Sequence, residues 1–271
     1  MIYYFIFIFL LGLCIGSFLN CVVYRMELQE DMPKSSSRRK TVSFMRGKSF
    51  CPHCKHDLGW QDLIPVFSFL FLKGKCRYCK KNISIQYPLV ELLTGLLFLL
   101  IFFAIGGPIS GWNFLIYFLF LLIIFSFLII IFIYDLKHYI IPDKVLFPAI
   151  GIVFLEQLIF NFRFLNFNPL WAGFGACAFF LFIFLISGGR WMGFGDVKLA
   201  FFMGLFLSYP NILAALFLAF FLGAIIGVGL IVFGSKNLKS EIPFGPFLII
   251  GTFIALFYGQ EIIQWYMHLI I

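Results

Sequence analysis

The chain has 271 residues, of which 62% are hydrophobic and 12% charged, with a mean hydropathy of +1.03 and a formal net charge of +8. A soluble domain is about half apolar and about one quarter charged, so this composition excludes one and points to an all-α polytopic membrane protein. The charge excess follows membrane topology and gives no reason to expect a nucleic-acid partner.

Apolar stretches lie at about 1–24, 88–106, 113–134, 144–162, 170–188, 197–209, 211–233 and 245–267. Most reach the about 20 residues that cross a bilayer core, which predicts about eight transmembrane helices. The 197–209 stretch is short before Pro210 and reads as a tilted span, a thinned one, or the first arm of a hairpin. The first stretch has no basic residue before its apolar run and meets Arg25 after it, the reverse of a cleaved signal, so it is read as a retained helix.

Thirteen of the 20 Lys and Arg fall between Arg25 and Lys81. If that loop is cytoplasmic, alternate crossings put Lys137, Lys144, Arg190, Lys198, Lys236 and Lys239 on the same side and leave only Arg163 outside. Both termini are then expected outside. The organisation expected is a first transmembrane helix over 1–24, a cytoplasmic loop module over 25–87, and a membrane core over 88–271.

Within the loop, Cys51-x-x-Cys54 and Cys76-x-x-Cys79 carry four of the seven cysteines. A reducing compartment disfavours disulfides, and two such knuckles about twenty residues apart match a structural zinc ribbon, with four thiolates closing a tetrahedral shell. His53 and His56 flank the first knuckle and are read as exposed. Cys14, Cys21 and Cys177 lie in apolar helices and are read as small packing residues. The segment at 59–75 is apolar enough to pack on the zinc module or lie along the membrane surface. The polar, basic, serine-rich 27–49 stretch reads as a mobile linker, and no internal repeat is evident.

Seven acids lie in or beside the apolar stretches, where an ionisable group is costly and marks a candidate site: Glu91, Asp135, Asp143, Glu156, Asp196, Glu241 and Glu261. Asp135 ends the third stretch and Asp196 opens the sixth, after Gly193-Phe194-Gly195. Two crossings separate them, so both arrive at the cytoplasmic boundary and can meet. Two carboxylates at one site share a proton, one acting as acid and the other as base toward water, which is aspartic-protease chemistry. The glycines are expected to let an extended substrate backbone approach and to supply unusual backbone angles. The structural alternative is a glycine turn with Asp196 capping the next helix. Asp143, after Pro142, reads as a helix start. Glu91 is either a substrate contact or an interfacial residue, and Glu156 and Glu261 fall toward the outer face.

Six blocks occur in order: "GSFLNCVVYR" at 16–25, "CPHC" at 51–54, "IPVFSFLFLKGKCRYCKKNISIQYPLVELLTG" at 64–95, "DLKHYIIPD" at 135–143, "GFGDVKL" at 193–199 and "IPFGPFLIIG" at 242–251. Together they resemble the type IV prepilin peptidases, or leader peptidases/N-methyltransferases, of bacterial pilus and type II secretion systems. The resemblance implies a Gly-x-Gly-Asp intramembrane aspartic protease of the inner membrane, with Asp135 and Asp196 as the catalytic pair. Its implied substrates are type IV prepilin or pseudopilin precursors, cleaved after a glycine at the cytoplasmic face. It also implies N-methylation of the new terminus with S-adenosylmethionine, whose site is unknown, and a zinc-binding module formed by Cys51, Cys54, Cys76 and Cys79. Lys137 stands where many relatives carry a second acid, and Trp191 enters the glycine-rich approach. Two alternatives stay open: a peptidase without methyl transfer, and a non-enzymatic assembly factor or transporter.

Overall fold

A computed structural model describes residues 2–31, 49–105, 112–160, 166–234 and 242–270. Most of the 27–49 linker, together with Arg163, Lys236, Lys239 and Glu241, lies outside the described residues. The helices are α1 (Ile2–Asp31), α2 (Phe67–Phe71), α3 (Gln86–Ala104), α4 (Trp112–His138), α5 (Asp143–Phe160), α6 (Asn168–Ser187), α7 (Phe194–Leu207), α8 (Asn211–Val232) and α9 (Gly245–Ile270). A 3-10 turn spans Trp60–Leu63, and no β-strand occurs among the described residues beyond two isolated bridges.

Among the described residues every predicted apolar stretch falls on a helix, but the expected eight spans are not all of one kind. Six helices, α1, α3, α4, α6, α8 and α9, are long and apolar enough to cross a membrane. α5 carries Asp143, Lys144 and Glu156 in its 18 residues. α7 has 14 residues, about 21 Å at 1.5 Å per residue, short of a hydrocarbon core of about 30 Å. Its apolar residues face protein. Val197, Leu199, Ala200, Phe202, Met203 and Leu205 are all buried, so α7 is sheathed by protein nearly all round.

The chain forms two compact units, 1–130 and 131–271, and α4 contributes residues to both. In the first, α1 packs along α3. The crossing is built on small residues: a Cβ at Gly12 would lie 2.6 Å from the Gly95 Cα, and one at Gly16 would lie 2.8 Å from the Glu91 Cα. Gly12-x-x-x-Gly16 thus lets two backbones approach, the usual device where lipid removes any hydrophobic drive between helices. α1 as a helix does not end at residue 24, where the first transmembrane segment was expected to end. It continues to Asp31 because Met, Glu, Leu and Gln favour helix and because Arg25, Met26 and Gln29 are buried along one side.

In the second unit α7 is the hub, packed by α6 most closely and also by α5, α8 and α9, while α8 runs along α9. Glycine again sets the closest approach: a Cβ at Gly204 would sit 2.5 Å from both the Ala172 carbonyl oxygen and the Gly173 Cα. The far end of α7 is held by a reciprocal pair in which Asn168 Nδ2 donates to the Tyr209 carbonyl (2.9 Å) and the Tyr209 amide donates to Asn168 Oδ1 (3.1 Å). Inside, Gln157 Nε2 donates to the Leu205 carbonyl (3.2 Å), which satisfies a buried amide between α5 and α7.

Candidate active site and metal centre

Asp135 lies in the last turn of α4 and Asp196 in the first turn of α7; both are buried, at 3% and 7% exposure. The two belong to the same unit and stand close enough that the charge of Asp135 acts on Asp196. Each is held at a helix N-terminus, where unpaired amides and the helix dipole favour a carboxylate. For Asp196 the helix is its own: Gly193 is the N-cap of α7, and its backbone amide faces the Asp196 carboxylate three residues on, as in one half of a capping box. For Asp135 the helix is α9. The Gly245 amide faces its carboxylate, and Asp135 Oδ2 points at the space a Gly245 side chain would fill. That same oxygen is buried without a hydrogen-bond partner among the described residues.

Gly245 and Ile141 escaped the sequence reading. Ile141 is buried between the two glycine backbones: its Cβ would lie 3.0 Å from a Cβ at Gly195, and its Cδ1 3.4 Å from one at Gly245. Gly195 therefore serves close packing of the segment after α4 against the start of α7. A Cβ at Gly193 would meet nothing nearer than 3.9 Å, so the open approach expected of the pair exists there alone. The unusual backbone angles expected at these two glycines do not occur: Gly193 has φ −78°, and positive φ is used instead at Gly188 (+58°) and Gly189 (+73°), ending α6.

Asp143 begins α5 and pairs with Lys198, which also lies 5.6 Å from the rings of Phe147 and Phe194. This ties the start of α5 to the start of α7 and fits the structural reading of Asp143. Trp191 is 74% exposed in the turn before α7. Glu91 in the first unit accepts hydrogen bonds from the Val66 amide (2.7 Å) and the Ser17 hydroxyl, so it joins the inter-knuckle segment to α1 and α3. Val66 has φ +62°, a costly angle for a β-branched residue, held by that bond to a buried carboxylate.

The four knuckle sulfurs lie within 4.8 Å of one another, with Cys51 Sγ and Cys79 Sγ 3.9 Å apart. A tetrahedral shell with metal–sulfur bonds of about 2.3 Å separates its sulfurs by about 3.8 Å, so the set fits a metal ion as it stands. The knuckles are built alike. The amides of Lys55 and Lys80 donate to the carbonyls of Cys51 and Cys76, and the amides of Cys51 and Cys76 to the carbonyls of His56 and Lys81. Lys55 and Lys80 both take positive φ, and the bridges Phe50–Asp57 and Lys75–Asn82 close the two turns. This is an internal repeat the sequence did not reveal. Burial opposes ionisation of Cys51, but the amides of Cys54 and His53 and the thiols of Cys54 and Cys76 bring its thiol down to about 7, whereas Cys79, although the Lys81 amide favours its thiolate, is pushed up to about 11 by burial and by the thiols of Cys76, Cys54 and Cys51. His53 and His56 are exposed, and the His56 ring lies tilted against the Tyr78 ring with centroids 3.7 Å apart. Cys14 is exposed and Cys21 and Cys177 are partly so, which leaves these three less buried than packing residues were expected to be. Arg77 Nε in the second knuckle pairs at 2.7 Å with Asp62 of the segment between the knuckles, where Trp60, Leu70 and Phe71 are exposed, as suits a segment against a membrane surface.

Fold and site together define a multi-pass helical membrane protein with a buried carboxylate pair and a cluster of four thiols that could hold a metal ion. Residues 10–105 match the Bacterial Peptidase A24 N-terminal domain, and residues 122–228 match the Type IV leader peptidase family. A prepilin leader peptidase/N-methyltransferase of Aeromonas hydrophila is 33% identical over 97% of this chain and 94% of its own length. Proteins of the same name from Aeromonas salmonicida (strain A449) and Bacillus subtilis (strain 168) are 34% and 32% identical, covering 99% and 96% of this chain and 95% and 96% of theirs. The chain belongs to the Type IV leader peptidase family. No solved structure matches it.

Proposed function

We propose that this protein cleaves the leader of type IV prepilin-like precursors by aspartic-dyad hydrolysis and methylates the new N-terminal amine with S-adenosylmethionine. The observation that carries the first half is the buried pair Asp135 and Asp196, each set against a helix N-terminus in one unit. One carboxylate takes a proton from water as the water oxygen attacks the scissile carbonyl carbon. The other, protonated, gives its proton to the carbonyl oxygen. The tetrahedral species then collapses, the C–N bond breaks, and the departing nitrogen takes up a proton from the dyad. The open side at Gly193 admits the extended backbone next to Asp196.

Methyl transfer and the precursor substrates rest on the names of relatives aligned over nearly the whole chain. Zinc is the ion the four thiolates suit, in a structural role, since four protein ligands leave no open position. The distribution of Lys and Arg supports an inner-membrane topology with the knuckle module cytoplasmic and both termini on the opposite side. The test is mass spectrometry of a prepilin-like substrate incubated with purified protein and S-adenosylmethionine. Loss of the leader plus one methyl is expected. Leader loss alone leaves a peptidase without methyl transfer, and an intact substrate across several precursors contradicts the proposal.

A further inference from the structure

The chain enters α9 through Pro243-Phe244-Gly245-Pro246-Phe247. Phe244 stands just before the helix, and its carbonyl accepts from the amides of Phe247 (3.0 Å) and Leu248 (3.2 Å), which fixes where α9 begins. A helix start ordinarily offers the amides of its first turn to an anion placed there. Here the Phe247 amide is already taken and Pro246 has none, so among the first three positions of α9 the Gly245 amide is the donor left over. That amide faces Asp135, whose Cγ lies 3.2 Å from the place of a Gly245 Cβ. Asp135 Oδ2 meanwhile has no hydrogen-bond partner among the described residues.

The Phe244 ring is held from three helices. Its centroid lies 5.1 Å from that of Phe220 on α8, 6.1 Å from Phe180 on α6 and 6.3 Å from Phe247 on α9, and Phe180 and Phe220 stack on each other at 6.0 Å. The Phe244 and Phe247 rings also lie against α8 at Gly223, 3.6 Å and 3.5 Å from the place of its Cβ. α6 and α8 thus fix the ring, the ring fixes the carbonyl that starts α9, and the carbonyl fixes the register of the helix. A slip of one residue would carry the Gly245 amide about 1.5 Å along the axis and about 100° around it, away from Asp135.

Building on the aspartic-hydrolysis reading above, we propose that Phe244 and Pro246 are positioning residues for Asp135: Phe244 holds the Gly245 amide against its carboxylate, and Pro246 withholds the second amide that would cap Oδ2. One backbone donor orients a carboxylate. A second would commit a lone pair on the oxygen that hydrolysis needs open, either to the proton of the attacking water or to the scissile carbonyl oxygen. Pro246 suits the task because a proline nitrogen in the first turn of a helix gives up no hydrogen bond there, and its ring is buried. Neither residue touches a reacting atom; both act through Asp135.

The test measures kcat and KM for leader removal by the full-length protein in lipid nanodiscs, with the thermal midpoint beside them. Pro246→Ala adds one N–H and should lower kcat by about tenfold, the worth of one hydrogen bond, with KM and the midpoint little changed. Lactic acid installed at position 246 by nonsense suppression puts an ester oxygen where that N–H would be, and should return kcat to near the wild-type value. Phe244→Ala should lower kcat on the order of 100-fold through a shift of about 1 Å at Asp135, and Phe244→Leu, which keeps apolar bulk, should recover most of the loss. A Pro246→Ala protein with wild-type kcat, or a lactic acid variant as slow as the alanine one, overturns the role of the missing donor. A Phe244→Ala protein that melts lower but keeps its kcat per folded molecule overturns the role of the ring. In those outcomes the wild type still cleaves, and the hydrolytic reading stands; a wild-type protein that cleaves no precursor overturns that reading and this inference with it.

Discussion

Replacing Gly245 with alanine tests whether the start of α9 sets the geometry of the carboxylate pair. An added Cβ would fall well inside contact with Asp135 Oδ2, 3.2 Å from its Cγ and 3.4 Å from Ile141 Cδ1. Ile141 is itself packed against Gly195, so the easiest relief is a rotation or shift of the Asp135 carboxylate. A displacement of about 1 Å in a catalytic group costs on the order of 100-fold, or about 2.7 kcal/mol of barrier. We therefore expect cleavage (kcat/KM) in Gly245→Ala to fall by about 100-fold, with a stability loss of about 1–3 kcal/mol from overpacking. The control is Gly151→Ala in α5, where an added Cβ meets nothing within 4 Å and activity should stay within about twofold. The assay is a time course of leader removal by purified protein, with thermal melting beside it. A folded Gly245→Ala protein that cleaves at the wild-type rate would refute the coupling of α9 to Asp135.

Cys51→Ser with Cys76→Ser should drop bound zinc from about one per chain to near zero and speed proteolysis within 49–84; full zinc retention by mass spectrometry would contradict a four-thiolate site. Gly204→Ala pushes a Cβ onto the Ala172 and Gly173 backbone, which cannot turn aside, and should lower the thermal midpoint in detergent by the equivalent of about 1–3 kcal/mol. Lys198→Met removes an exposed pair, with Asp143 54% exposed, so stability should change by no more than about 1 kcal/mol and cleavage should persist. A larger loss of cleavage would assign Lys198 or Asp143 to the chemistry. Asn166→Cys should react with an impermeant maleimide added to intact cells, and Lys80→Cys should not; the reverse pattern would invert the topology.

The positions of the helices were legible because apolar runs are the strongest signal a membrane sequence carries. What those runs do was less legible. The 197–209 stretch and a lipid-facing span look alike in composition, and only the packing of α5, α6, α8 and α9 around it marks a helix sheathed by protein. The tail of α1 reads as polar loop, yet its buried face depends on neighbours distant in sequence. Asp135 and Asp196 stood out as charge in apolar surroundings. Gly245 did not, because its task exists only once the start of α9 meets the end of α4. The "FGP" at 244–246 marks a helix start and nothing more. Gly195 was noticed for the wrong reason: its missing side chain makes room for Ile141. The knuckle repeat was hidden because the two share little beyond Cys-x-x-Cys-Lys, and the matching turns are written in backbone angles.

The most direct test of the dyad is leader cleavage by Asp135→Asn and Asp196→Asn, each purified, shown by melting to be folded, and assayed against wild type on one precursor. Asparagine keeps the shape and hydrogen-bonding reach of aspartate but can neither take nor give the proton. The account predicts no cleavage above background from either variant. Cleavage by either at a rate near wild type would contradict it.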